Sequence, residues 1–208
     1  FNLGAIYRIN ERHAVAATYR HNFSIDYDGT FSVDAAGVRN DVTATLDFPR
    51  VVVLGYSYRP TDNLKLEFDA DWTDWRSTGD IRVHFKDAGL PDANQAQDLR
   101  NTVAYKLGAE YRLSEKLTLR GGYIYNENAT PDETWRPSLP DTDIHFLTAG
   151  VGYTTGQVTV NAALQLVFYE TRGIDNNVDG NELTSSSSID GTYRTFAPYL
   201  SLGATYRF

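Results

Sequence analysis

Cysteine is absent from this chain of 208 residues, histidine occurs only 4 times, and 19 basic residues face 27 acidic ones. The first absence excludes disulfides and any thiol or cysteine-zinc chemistry. The charge balance, -8 at neutral pH, argues against nucleic acid as a partner, because phosphate binding needs a basic patch. Long apolar runs are missing too. Mean hydropathy is -0.42, and no stretch approaches the roughly 18 continuous apolar residues of a membrane-spanning helix. That exclusion does not reach a transmembrane β-barrel, in which only alternate residues of each strand meet lipid.

Aromatic residues are abundant: 14 Tyr, 10 Phe and 3 Trp. Two aromatic girdles at the membrane interfaces would use such a supply. Nine segments alternate at period two, and LKLEFDADW is the clearest. It places Leu64, Leu66, Phe68, Ala70 and Trp72 on one face and Lys65, Glu67, Asp69 and Asp71 on the other. A soluble sandwich could carry one such strand, with its apolar face in a core. The set of nine is more telling, since Tyr7, Tyr58, Tyr111, Tyr153 and Tyr206 end the apolar faces of every second segment. The connections alternate as well. Short turns follow the first, third, fifth and seventh segments, and long polar loops follow the second, fourth, sixth and eighth. A soluble sandwich or lipocalin-like barrel has no reason to obey that rule, whereas an outer-membrane barrel does. The expected fold is therefore all-β, a transmembrane antiparallel β-barrel with nine strands in this chain. Bacterial single-chain barrels have even strand counts and no open edges, so the nine are expected to be the C-terminal part of a larger barrel domain.

The stretches DADWTDWRS at 69–77, YKLGAEYRLSEKLTLRGGYIYNENATPDETWRPSLPDTDIHFLTAGVGY at 105–153 and AIYRINERHAVAATYRHNFSIDYDG at 5–29, with the final YRF, resemble the FadL/TodX family of outer-membrane transporters for long-chain fatty acids and other hydrophobic compounds. The resemblance implies a fourteen-stranded barrel with an N-terminal hatch, residues 1–208 supplying strands six to fourteen. It implies passive uptake across the outer membrane of a Gram-negative bacterium, with no cofactor and no catalysis. It also implies contact with outer-membrane lipid and lipopolysaccharide, and recognition by the barrel-assembly machinery through Tyr206 and Phe208. The pattern departs from the family after the second acid of the Pro-Asp-x-Asp loop, where Ile144 and His145 stand in place of a basic residue. In the long loop after Trp75, only Lys86 and Arg100, at its two ends, are offered to a carboxylate. A neutral or aromatic hydrocarbon is thus a competing cargo.

The same loop is unusually apolar, with Ile81, Val83, Phe85 and Leu90. Together with Lys86, Arg100 and Trp75, its residues Val83, Phe85 and Leu90 form the expected ligand-binding set. Trp72 and Trp75 also suit an interfacial belt. An outer-membrane hydrolase is the contrasting reading, for which Asp141, Asp143 and His145 are spaced as an acid/His site; the plainer account has the acids starting a strand. A structural barrel with no transported ligand is a third. His13, His21 and His84 lack metal-ligand spacing. DNNVDGNE at 175–182 lacks EF-hand spacing, though its acids would suit divalent ions bridging to lipopolysaccharide, and the serines at 185–188 read as a flexible loop tip. The inward charges Glu67, Asp69, Asp71, Lys106, Glu110, Arg112 and Arg120 are expected to pair across the lumen wall.

Overall fold

A computed structural model describes the chain except for residues 87, 88, 90 and 176–189. With strands numbered in chain order, one antiparallel sheet contains β1 (Asn2–Arg8), β2 (His13–Arg20), β5 (Val51–Tyr58), β6 (Leu64–Thr73), β9 (Thr102–Arg112), β10 (Leu117–Asn126), β11 (Ile144–Thr155), β12 (Val158–Tyr169) and β15 (Phe196–Tyr206). These nine neighbours are the nine alternating segments of the sequence. The strands missing from that series form two smaller sheets. One contains β3 (Phe23–Val33), β4 (Val38–Phe48), β7 (Ile81–Phe85) and β8 (Ala93–Gln95), and the other pairs β13 (Arg172–Ile174) with β14 (Gly191–Tyr193). Among the described residues no helix is long and apolar enough to cross a membrane.

Register explains the wall. Residues directly opposite in an antiparallel ladder share a face. One such rung runs Tyr56, Phe68, Leu107, Tyr123, Leu147, Leu166 and Pro198, and is apolar throughout. A neighbouring rung on the opposite face runs Ser57, Glu67, Gly108, Gly122, Thr148, Gln165 and Tyr199. Outward leucines stay open: Leu54 is 57% exposed, Leu107 55% and Leu202 75%. In water that would be costly at about 25 cal/mol per Å²; in a bilayer the same face is solvated by lipid tails.

Inside, part of the expected pairing is present: Lys106–Asp71 and Arg120–Glu110 join neighbouring strands, and Glu67 pairs along its own strand. Lys106 donates to Asp71, Lys65 Nζ lies 2.5 Å from Glu67, and Arg120 Nε lies 2.7 Å from Glu110. Arg120 also reaches Asn161 Oδ1 at 3.3 Å, passing over a wall kept bare for it. A Cβ on Gly152 would sit 2.7 Å from Asn161 Oδ1 and 3.0 Å from Arg120 Nη1. At the other end of the wall Tyr206 donates its hydroxyl to Gln157 at 2.6 Å, and Phe208 is fully exposed.

The long connections expected as polar loops after the second and fourth segments are corrected by the four-stranded sheet. Strands β3 and β4 pair over eleven residues, roughly 35 Å of hairpin at about 3.3 Å per residue, closed by Gly37 at φ 61°. Val83 and Ala44, then Phe85 and Val42, add β7 to its edge. The physical reason is that period-two alternation resumes at Phe23 after the break at His21–Asn22. A strand that keeps pairing satisfies its backbone better than a loop does.

Candidate functional site

Two units rise from the loop side of the wall, and the first is the four-stranded sheet. Its register separates its residues by chemistry. On one face lie Phe23, Ile25, Tyr27, Phe31 and Val33 of β3, Val38, Val42, Ala44, Leu46 and Phe48 of β4, and Ile81, Val83 and Phe85 of β7. Asn40 and Gln95 are the polar side chains among them. Phe31 and Phe85 meet edge to face with centroids 5.5 Å apart, and Phe23 stacks on Phe48 at 4.7 Å. The middle strands are half-buried, whereas Phe23 is 48% and Tyr27 46% exposed. The apolar face is thus open along β3.

The opposite face is held by hydroxyl-carboxylate bonds between directly paired residues. Ser24 donates to Asp47, Thr45 to Asp26 at 2.7 Å, and Thr30 to Asp41 at 3.3 Å. Asp92 folds β8 back onto β7 by accepting from His84 Nδ1 at 2.7 Å and from the Phe85 N–H at 3.2 Å, and these two bonds hold its carboxyl below the usual range. Asp80 does the same work with Asn94 and the Gln97 N–H, and is likewise held low.

The base of this sheet is clamped. The Asp74 side chain, 10% exposed, takes Arg50 Nε at 2.6 Å, and the Asp74 N–H donates to the Arg50 carbonyl at 3.0 Å. Trp75 opens a one-turn 3-10 helix, Trp75–Ser77, whose side approaches β4. Arg76 N–H anchors that helix to Asn101.

The second unit is a knot over residues 127–143. Asp141 accepts from the N–H groups of Ala129 and Thr130 at 2.7 and 2.9 Å. Asp143 accepts from the Tyr125 hydroxyl at 2.5 Å and from the backbone and side chain of Asn128 at 2.9 and 2.5 Å. Burial pushes the Asp143 carboxyl up, but these donors and the nearby charge of Arg100 outweigh it and hold the group below its ordinary value. Trp135, 1% exposed, donates to the Asp141 carbonyl at 2.9 Å, and Arg172 bridges Asp132 with the carbonyls of Thr130 and Asp141.

Placement of the expected ligand residues follows. Val83 and Phe85 lie on the apolar face, and Trp75 lies on the short helix beside β4. Leu90 lies outside the described residues, as do nearly all of 175–182 and all of 185–188. Lys86 and Arg100 belong to different units. Lys86 Nζ donates to Asp28 at 3.0 Å, a bond that holds its ammonium above the usual range, while Arg100 is spent on Asn128. The acid/His hydrolytic spacing is not realised as a site: Asp141 and Asp143 precede β11 as loop anchors, and His145 takes Tyr123 at 2.7 Å and Glu170 at 3.2 Å. Among the described residues no cluster of three or more His, Cys, Asp or Glu is arranged to hold a metal ion. What sequence reading missed is β3 and β4, whose signal was the alternation of FSIDYDGTFSV itself.

A nine-stranded antiparallel wall with a lipid-ready outer face, a charged inner face, short turns on one side and folded extensions on the other defines an outer-membrane β-barrel protein. The chain belongs to the family described as "Outer membrane protein transport protein (OMPP1/FadL/TodX)", whose model matches residues 1–208. It is 28% identical over its whole length to outer membrane protein P1 of Haemophilus influenzae, covering 47% of that protein. It is 23% identical over 74% of its length to the long-chain fatty acid transport protein of Salmonella typhi, covering 38% of it. Among solved structures, a Pseudomonas aeruginosa FadL homologue superimposes with TM-score 0.78 at 21% identity, over 99% of this chain and 51% of that one. The Ralstonia pickettii toluene transporter TbuX gives TM-score 0.64 at 22% identity, over 99% and 46%. The chain thus spans about half the length of these relatives or less.

Proposed function

We propose that this protein takes up hydrophobic small molecules across the outer membrane without energy input, and that the apolar face of the four-stranded sheet collects them outside the cell. The candidate cargoes are long-chain fatty acids and aromatic or aliphatic hydrocarbons. One observation carries the reading: a folded sheet on the loop side of the wall keeps one face apolar but for Asn40 and Gln95, and leaves β3's share of it open. A contiguous apolar surface on a water-exposed element marks a binding site for apolar matter. Val83, Phe85 and Trp75 are its contact residues. The names of the relatives, a long-chain fatty acid transport protein and a toluene transporter, support the same class of cargo.

In this reading residues 1–208 form the C-terminal part of a single barrel domain, fourteen strands in the whole protein, with the hatch and early strands supplied by the rest. Tyr206 and Phe208 carry the signal for the barrel-assembly machinery, and the outward face meets lipid and lipopolysaccharide. The test is equilibrium binding of a fluorescent long-chain lipid probe to the purified full-length protein, competed with unlabelled hydrocarbon. Replacing Val83 and Phe85 together by Asn should weaken binding at least tenfold while the barrel still migrates as folded on unheated gels. Unchanged binding would remove the sheet from the uptake path, and no binding by the wild type would favour a barrel without a transported ligand.

A further inference from the structure

The collecting face has a charge character that separates the two classes of cargo. Segments 23–48 and 80–95, which contain the four strands, carry eight aspartates against three basic residues, a net formal charge of -5. Of the three bases, Arg39 and Arg82 lie on the opposite, polar face, in register with Ser32 and Thr45. Lys86 is held by Asp28, Arg50 by Asp74, Arg172 by Asp132, and Arg100 by Asn128. On the apolar face itself the one buried polar group is Asn40, opposite Phe31 and 8% exposed, and its side-chain oxygen has no hydrogen-bond partner. That oxygen can accept from a hydroxyl, whereas a carboxylate, which carries no proton, cannot use it.

From these observations we infer that the face selects neutral hydrophobic molecules, hydrocarbons and long-chain alcohols among them, and disfavours the carboxylate form of a fatty acid. This rests on the reading of the sheet as the collecting site. Apolar burial supplies attraction to either cargo in proportion to chain length. The head group decides, because an anion brought within a Debye length of about 8 Å meets the field of aspartates whose hydroxyl and amide partners bind them without neutralising their charge. Selectivity of this origin must shrink with salt, whereas the apolar contribution does not.

The experiment compares two probes of the same polyene chain, cis-parinaric acid and its alcohol, on the full-length protein in detergent at pH 8.5. Binding is read by energy transfer from tryptophan, and the V83N/F85N double variant supplies the background for partition into detergent. Expected is at least tenfold tighter binding of the alcohol at low salt, narrowing severalfold in 0.5 M NaCl. Substituting Asp28→Asn, which releases Lys86, should tighten the acid about fivefold and leave the alcohol unchanged. Acid binding as tight as alcohol, with both lost in the double variant, would overturn the selectivity and leave the collecting site standing. So would an Asp28→Asn variant with no gain for the acid. If the double variant bound both probes like the wild type, the collecting site itself would fall, and the selectivity with it.

Discussion

The wall and the sheet that rises from it obey the same alternation and put it to opposite uses. In the wall, Leu54, Leu107 and Leu202 are more than half exposed because lipid is their solvent. In the four-stranded sheet, Phe23 and Tyr27 are nearly as open, with no bilayer to cover them. Their polar faces differ too. The wall pairs full charges on its inner face, Lys106 with Asp71 and Arg120 with Glu110. The sheet pairs hydroxyls with carboxylates, as Thr45 does with Asp26, where water competes for every bond. Alternation therefore defines a two-sided sheet, and the surroundings decide whether its apolar side is a membrane anchor or a surface left free for cargo.

Arginine placed on each apolar face separates the two most sharply. Leu107 lies midway along β9, so Leu107→Arg sets a charge near the bilayer centre and should cost about 2–4 kcal/mol of barrel stability. Urea titration of folding into lipid vesicles measures it. Tyr27→Arg places the same charge on the open edge of the apolar face outside the membrane and should alter stability by about 0.5 kcal/mol or less. Equal losses would mean that the sheet is packed as a core, and the comparison would break.

A second contrast concerns the polar faces. Asp71's side chain is 18% exposed, and Lys106→Met would leave it in the lumen wall without its cation, at about 1–3 kcal/mol. Adding Asp71→Leu should return most of that loss in the same titration, because the cost is a stranded charge and not a missing attraction. No recovery in the double variant would show that Asp71 has another partner in the complete barrel.

Most of the wall was legible because nine strands repeat one pattern and the turns beside them are short. The lumen pairs followed from register once the strands were in order. The collecting sheet was half legible. Val83 and Phe85 stood out as apolar residues in a loop, but Phe23–Phe48 was passed over, since His21–Asn22 and Pro49–Arg50 break the run at the membrane edge. The apolar residues are odd-numbered in both β2 and β3, so the phase survives that break and could have been followed through it. The separation of Lys86 from Arg100 was out of reach, because it depends on which strand each loop end joins. The same holds for Asp143, whose partners Tyr125 and Asn128 come from the preceding strand and loop.

That knot yields a prediction about acid. The Asp143 carboxyl is depressed in the folded protein, so the stability it lends is complete above the unfolded value of about 3.9 and is lost as pH falls through the lower folded value. The knot should hold at pH 5 and loosen only below about pH 4. Trp135 reports it, being buried with its N–H on the Asp141 carbonyl, and its emission should shift to the red in that window when Trp72 and Trp75 are replaced by Phe. Asp143→Asn should show part of the shift already at pH 7. A shift beginning near pH 6 would mean that Asp143 is not the group that holds the knot.

The smallest effect tests the claim that water weakens the sheet's polar ladder. Thr45→Val keeps the β-branched shape that suits a strand and removes only the hydroxyl that Asp26 accepts at 2.7 Å. Both groups are exposed, so water replaces the lost bond and the cost should be about 0.5 kcal/mol or less. The wall supplies the control. Thr148 lies in the lumen face and donates to the Gly122 carbonyl at 3.3 Å, so Thr148→Val removes an equally small group from a less hydrated place. It should cost more than Thr45→Val even though its bond is longer. If the two losses matched, hydration would not distinguish the two polar faces, and the difference between wall and sheet would reduce to what lies against their apolar sides.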